Sequence, residues 1–239
     1  MKSLILNRFL KKSWILAMFL SMPAAIQVLC AESENKLESV LAHMEQSSKD
    51  FQSFKADIQT TKYTSLLDLF DPPEKGKFYY SRSEDGSALI RWEITVPGIR
   101  ILTIEKDEAL LYRPKIKSAQ KYKLGKNKDK AEYLALGIGQ SPADLEQTFD
   151  ITFLKSEKTG GKDCSVLEMK PKDPKTASMF SSILIWVDDT TGVSTRMKLI
   201  EPYDDYLIVD FSNEKLNEKI EKSMFRQKLP NSVEVLSVN

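Results

Sequence analysis

The stretch GKFYYSRSEDGSALIRWEITVPG, residues 76–98, reads as two strands joined by a polar turn. With the two-residue period of extended chain, Gly76, Phe78, Tyr80 and Arg82 share one side, and Lys77, Tyr79 and Ser81 share the other. After Glu84-Asp85-Gly86 the alternation restarts more sharply. Ala88, Ile90, Trp92, Ile94 and Val96 face one way, Leu89, Arg91, Glu93 and Thr95 the other, and Pro97-Gly98 stops the strand. A hairpin with one apolar face needs a cover for that face. This one also ends an apolar row in an arginine, whose guanidinium stays charged at any ordinary pH.

The same period continues outward. Upstream, Phe54, Ala56 and Ile58 alternate with Lys55, Asp57 and Gln59, and Asp71-Pro72-Pro73 opens a turn. Downstream, short strands fit residues 100–106, 109–113 and 118–124, and later 149–156, 164–170, 182–188, 193–201 and 206–211. Turn-rich links such as Thr159-Gly160-Gly161-Lys162 and Glu201-Pro202-Tyr203-Asp204 join them. Consecutive strands with short links predict one antiparallel meander that curls into a barrel or half-barrel. One helix precedes it and a helical pair is inserted midway. Residues 34–49 set Leu37, Val40, Leu41 and Met44 at helical spacing. Midway, residues 129–136 read as a short helix, Gly137-Ile138-Gly139 breaks it, and Ser141 caps another that begins at Pro142. These helices must cover the apolar face of the sheet.

The start of the chain has the layout of a secretory signal. Lys2, Arg8, Lys11 and Lys12 precede an apolar run from Trp14 to Ile26, too short for a membrane span of ~20 residues. Cleavage after Cys30 or Ala31 divides the chain into a signal at 1–31 and one exported domain at 32–239. Cys30 also suggests a lipoprotein signal, against which stands the bulky Leu29. Without the signal, 31 lysines and arginines face 34 acidic residues, a net charge of about −3. The basic residues are interleaved with acids, so neither nucleic acid nor an anionic membrane is favoured as a partner. Cys164 is then the only thiol, which leaves no internal disulfide.

Catalytic patterns are missing. One histidine, His43, and one mature cysteine cannot build a zinc site or a nucleophile–histidine arrangement. Gly137-Ile138-Gly139 lacks the third glycine of a phosphate loop, and Asp188-Asp189 and Asp204-Asp205 sit in turn signals. No catalytic residue, metal site or cofactor is expected, and the protein is not read as an enzyme. Carboxylate-only chemistry on a lipid or envelope glycan is the rival from that class.

Between residues 37 and 230 the chain resembles the periplasmic outer-membrane lipoprotein carriers, the LolA family. The match rests on the order and spacing of several elements: Ser53-Phe54-Lys55-Ala56, the Gly76-to-Arg82 spacing, Arg91-Trp92, Pro97, Tyr112 with Pro114, the inserted helices near 132–147, and Phe225 with Pro230. The resemblance implies a mostly β fold with α, an incomplete antiparallel β-barrel (a curved sheet) covered by a helical lid. It implies an apolar acyl-chain cavity, here expected from Phe54, Phe78, Tyr80, Ile90, Trp92, Ile94 and Val96. Leu37, Val40, Leu41, Met44, Leu134 and Leu145 would form the lid helices. Arg82 takes the position of a latch that bonds lid-helix carbonyls, which a guanidinium with five donors can satisfy. Two features depart from the family: Ser83 follows the arginine where proline is frequent, and Glu84 and Asp85 offer it a surface ion pair instead.

The function implied is a periplasmic carrier, monomeric and without cofactor, that shuttles acylated lipoproteins from the inner to the outer membrane. An inner-membrane lipoprotein-releasing transporter would load it, and an outer-membrane receptor would unload it. The alternatives on the same fold are a lipid-binding periplasmic sensor and an anchored receptor with acylated Cys30. The segment Ser65-Leu66-Leu67-Asp68-Leu69-Phe70 is more apolar than a hairpin tip requires; it either packs over the barrel rim or meets a partner.

Overall fold

The structure, a computed structural model, describes residues 24–125 and 133–238. Residues 1–23 of the expected signal and residues 129–132 of the expected mid-chain helix lie outside them. Helix α1 (Ala24–Lys49) starts ten residues before the sequence pattern predicts. Strands follow in close succession: β1 (Ser53–Thr64), β2 (Leu69–Phe70), β3 (Glu74–Arg82), β4 (Ala88–Val96), β5 (Arg100–Glu105), β6 (Glu108–Arg113) and β7 (Ser118–Lys123). After the inserted segment come helix α2 (Pro142–Thr148), β8 (Phe149–Thr159), β9 (Lys162–Pro171), a one-turn helix α3 (Pro174–Ala177), β10 (Ser182–Asp188), β11 (Ser194–Ile200), β12 (Tyr206–Leu216) and β13 (Glu234–Val238).

All the strands join one open sheet in the order β13-β7-β6-β5-β4-β3-β1-β12-β11-β10-β9-β8, with β2 added beside β1. It is an incomplete barrel, as expected, but not one continuous meander. Two antiparallel runs, β3–β7 and β8–β12, meet on β1. That strand pairs Phe54 with Tyr80 of β3 on one side and Ile58 with Phe211 of β12 on the other. Sequence proximity predicts neighbours only within each run, so the seam between the runs is not legible from the sequence. β13, absent from the sequence reading, lies parallel to β7.

One core cluster on the concave side takes in residues from both runs, among them Phe78, Ile94 and Ile104 together with Ile185, Met197 and Val209. The sheet therefore curls around a shared interior. At its centre Phe54 meets Phe211 edge-on at 5.6 Å, and Phe78 stands 5.6 Å from Phe211 and 5.5 Å from Trp92. Each such buried side chain contributes about 1.5–3 kcal/mol of transfer free energy. Gly76 marks a close approach of β3 to β4, since a Cβ there would overlap the Glu93 carbonyl.

The convex side of β4–β7 is covered by the returning C-terminal segment. Leu229 and Val233 pack on Ile101, Tyr112 and Ala119, and Phe225 is buried. Arg91, on the outward row of the opening hairpin, ties this segment down. Its guanidinium pairs with Glu93 at 3.0 Å and donates to the Met224 carbonyl and to Gln227 Oε1.

Candidate functional site: the lid and its pocket

The inserted segment crosses the concave side as a lid. Its first described part is a 3-10 turn, Tyr133–Ala135, rather than the α-helical turns expected there. Gly137 and Gly139 both have positive φ, +74° and +67°, a left-handed backbone that stops a helix. This pair of glycines lets the chain turn Leu136 and Ile138 inward, where both are fully buried. Helix α2 then starts as expected, with Ser141 Oγ accepting from the Asp144 N–H at 3.1 Å.

The lid touches both halves of the sheet. Ser194 N–H of β11 donates to the Gly137 carbonyl at 2.9 Å. The Tyr133 hydroxyl lies 3.0 Å from Thr176 Oγ1 on α3, and its ring meets Phe149 and Phe180 edge-on. Helix α1 flanks the lid, with Val40 and Met44 buried and Leu37 and Leu41 half-buried against the same core. Leu134 is half-buried and Leu145 buried there too, so all six expected lid residues pack on the interior. His43 is exposed, and its carbonyl crowds Gly192, where no Cβ would fit.

On the other half of the sheet, Arg82 reaches the lid. Its Nη2 donates to the Gly139 carbonyl, and its guanidinium lies 5.9 Å from the centre of the Phe51 ring. Phe51 in turn packs on Tyr80 at 5.3 Å and fills the space where Gly139 would carry a Cβ. The acceptor is a loop carbonyl just before α2, not a last-turn carbonyl of a helix. The neighbouring carboxylates are engaged elsewhere. Glu84 pairs with Lys222 at 2.6 Å, and Asp85 accepts from the Ser83 and Ser87 hydroxyls, which hold its carboxyl below the usual range. Arg82 is itself an exposed residue, so this contact forms at a wet mouth and contributes about 1 kcal/mol, not the larger share of a desolvated one.

Beside this contact lies a pocket of about 650 Å³. Its buried wall is Tyr80, Leu136, Leu145 and Phe149; Arg82, Gln140, Asp144 and Lys175 give it a polar mouth. Among the residues expected to line an acyl-chain cavity, Tyr80 alone lines this pocket. Phe54, Phe78, Ile90 and Ile94 are close-packed core, Trp92 packs half-buried on Phe78, and Val96 is 52% exposed at a strand end. The shared face of the hairpin is buried or half-buried up to Val96, as its alternation predicts, and it belongs to the same core cluster as the lid's Leu136 and Ile138 and the inner side of α1. Sequence reasoning does not single out Phe51, Leu136, Ile138 or Phe149. The paired glycines around Ile138 are the available signal.

A smaller polar cluster lies across β9, β10 and β12. Lys162 pairs with Asp188 at 3.2 Å and with Glu214 at 2.9 Å. Burial pushes Asp188 up, but the Thr190 N–H and the Lys162 ammonium outweigh it and leave the carboxyl below its ordinary value. Among the described residues no group of histidine, cysteine and acidic side chains could hold a metal ion, and no helix is long and apolar enough to cross a membrane.

The family model described as outer membrane lipoprotein carrier protein LolA matches residues 49–228. No curated protein matches the sequence significantly. Among solved structures, an uncharacterized conserved protein from Thermus thermophilus superposes with a TM-score of 0.52 at 11% identity, over 85% of this chain and 99% of that one. The Pseudomonas aeruginosa MucA/MucB complex gives 0.47 at 12% identity over 83% of this chain. This chain spans only 62% of that matched chain. The LolA superfamily protein NE2245 from Nitrosomonas europaea gives 0.37 at 12% identity, over 80% and 97% of the two chains. At such identities the likeness concerns the fold alone.

Proposed function

The chain belongs to the LolA family of outer membrane lipoprotein carrier proteins, and from that membership we propose that it shields the acyl chains of lipoproteins beneath its lid. In this reading residues 1–31 export the chain to the periplasm, and the domain at 32–239 works there as a monomer. It takes acylated lipoproteins from an inner-membrane releasing transporter and yields them to an outer-membrane receptor.

The need for a carrier follows from magnitude. Exposing an acyl chain to water costs about 0.8 kcal/mol per methylene, or on the order of 12 kcal/mol for a sixteen-carbon chain. No covalent step is required, only an apolar interior that can open. The observation that carries the reading is a lid of fully buried apolar residues, Leu136 and Ile138, held on an aromatic concave face by few polar ties. Lifting it opens the interior cluster that holds Phe54, Phe78 and Ile90, and the 650 Å³ pocket is the place where an acyl chain would begin to wedge in. The packed interior is then the empty state of the cavity.

The test uses cargo-free exported protein and a dye that fluoresces in apolar surroundings. The dye is expected to bind and to be displaced by an acylated lipoprotein but not by its deacylated form. Equal displacement by both refutes the reading. The mass of the mature N-terminus separates a free carrier from a receptor anchored through acylated Cys30.

A further inference from the structure

The exposed apolar residues of this protein are not scattered. Four successive connections along the sheet lie at one end: β6–β7, β4–β5, β1–β3 and β11–β12, as the pairings Arg113–Ser118, Ile94–Arg100, Thr60–Glu74 and Ile200–Tyr206 require. They present Ile116, then Val96 and Ile99, then Leu66, Leu67, Leu69 and Phe70, then Tyr203. Leu66 is 92% exposed and Tyr203 88%. Among the described residues, the turns at the opposite end carry no exposed large apolar side chain; the remaining ones lie on β8 and in the C-terminal segment. Single exposed leucines need no explanation, but a concentration at one end does.

The β1–β3 tip is a built feature rather than a loose loop. Asp68, at φ +47°, accepts from the Tyr63 hydroxyl at 2.7 Å, and Asp205 accepts from the Ser65 N–H at 2.8 Å. These bonds fix the turn with its leucines outward. Directly behind it, Tyr63 stacks on Tyr206 at 4.7 Å and contacts Phe70 at 4.9 Å, and the Lys198 ammonium sits 3.6 Å from the centre of the Tyr206 ring. The order from the tip inward is aliphatic, then aromatic with a polar edge, then cationic. That is the order of environments met on leaving the acyl region of a bilayer, passing its interface and reaching water.

We propose that this end of the sheet docks on a zwitterionic phospholipid surface, with Leu66, Leu67, Leu69 and Phe70 seated among the acyl chains and the tyrosines at the headgroups. Shape favours lipid over a protein partner. The apolar groups sit on convex turn tips, which a fluid surface can surround. Charge selects the lipid: around the β1–β3 and β11–β12 turns Asp68, Asp71, Asp204 and Asp205 stand against Lys62, Lys75 and Lys198, so the inserting tip has no basic excess to draw it to anionic headgroups, and the exposed Lys115 and Lys117 lie apart, beside Ile116 on the β6–β7 turn. Docking goes beyond the carrier reading and is tested without cargo.

Cargo-free exported protein is sedimented with vesicles of phosphatidylcholine and phosphatidylethanolamine. Binding is expected, and it persists at about 1 M salt, where charges more than ~3 Å apart are screened. Leu66→Ser/Leu67→Ser weakens partitioning by about tenfold or more, as removal of two inserted leucines requires. A Leu66→Trp variant gives the second readout: lipids brominated on their acyl chains quench the fluorescence of the introduced indole. Lack of vesicle binding, binding only to anionic vesicles at low salt, equal binding by the serine variant, or an introduced indole that escapes quenching each overturns the proposal. A tip that serves a protein partner gives the first of these results.

Discussion

Replacing Gly139 by alanine should unlatch the lid while leaving the sheet intact. Gly139 holds φ +67°, and a side chain in that left-handed conformation costs about 1–2 kcal/mol. The added methyl also overlaps the Phe51 ring. That ring cannot simply swing aside, because it is buried against Tyr80 and beneath the Arg82 guanidinium. Overpacking of this kind costs about 1–3 kcal/mol, so lid closure loses about 2–5 kcal/mol in all. No ladder bond of the sheet is touched. Amide exchange should therefore rise about 30-fold or more for residues 134–145, and with them for Ser194, whose N–H bonds the Gly137 carbonyl, while β10 and the rest of β11 keep their protection. A Phe51→Ala background removes the overlap and leaves only the backbone strain, so Gly139→Ala should cost about 1–2 kcal/mol there and the cycle should show about 1–3 kcal/mol of coupling. Binding of the apolar dye should tighten, since less of the protein is held closed. Unchanged protection across 134–145, or the same cost in both backgrounds, refutes the latch geometry.

Three further outcomes can be measured. Arg82→Leu should raise lid exchange by only about fivefold, in keeping with a wet contact of ~1 kcal/mol, and tighten dye binding by no more than that factor; a hundredfold rise would mean that the arginine is desolvated. Gly76→Ala should lower the urea midpoint by the equivalent of about 3 kcal/mol or more, because its Cβ meets the Glu93 backbone and not a movable side chain; a midpoint within error of the wild type would contradict the close strand approach. Asp188 has a folded pKa below its unfolded one, so its contribution is present above about pH 4 and lost as pH falls through the folded value. Asp188→Asn should be less stable at neutral pH and show a shallower acid decline, and parallel acid slopes for the two proteins would refute the assignment.

What can be read from the sequence is what local chemistry decides. The alternation in residues 88–96 gives a strand with one buried face, Ser141-Pro142 gives a capped helix, and the burial of Val40 and Met44 follows from helical spacing. The reading fails where distant segments choose one another. Phe211 completes the aromatic centre from β12, and nothing near it in sequence indicates β1 as its neighbour. The cavity is hard to read for the same reason, since a strand's pattern shows which side is buried but not whether lipid or protein buries it. Ile138 supplies part of the answer from a segment whose glycines look like a simple break. Arg82 stands out in the sequence as an arginine on an apolar row, yet only the folded chain shows Gly139, rather than Glu84 or Asp85, beside it.

The seam on β1 has a kinetic consequence. Gln52 and Asn217 hydrogen-bond across 165 positions of chain, and the ladder beyond them zips β1 to β12 at comparable separation. Closing so long a loop has an entropic cost that must be met before the pairing rewards it. During synthesis or refolding, β1 can pair early with β3, but its other edge has no native partner until β12 exists. For that interval a strand with exposed ladder groups and Phe54 on one face is open to mispairing with a second chain. A substitution that weakens β12 should therefore slow folding and raise aggregation more than an equally destabilising one at the β3–β4 hairpin.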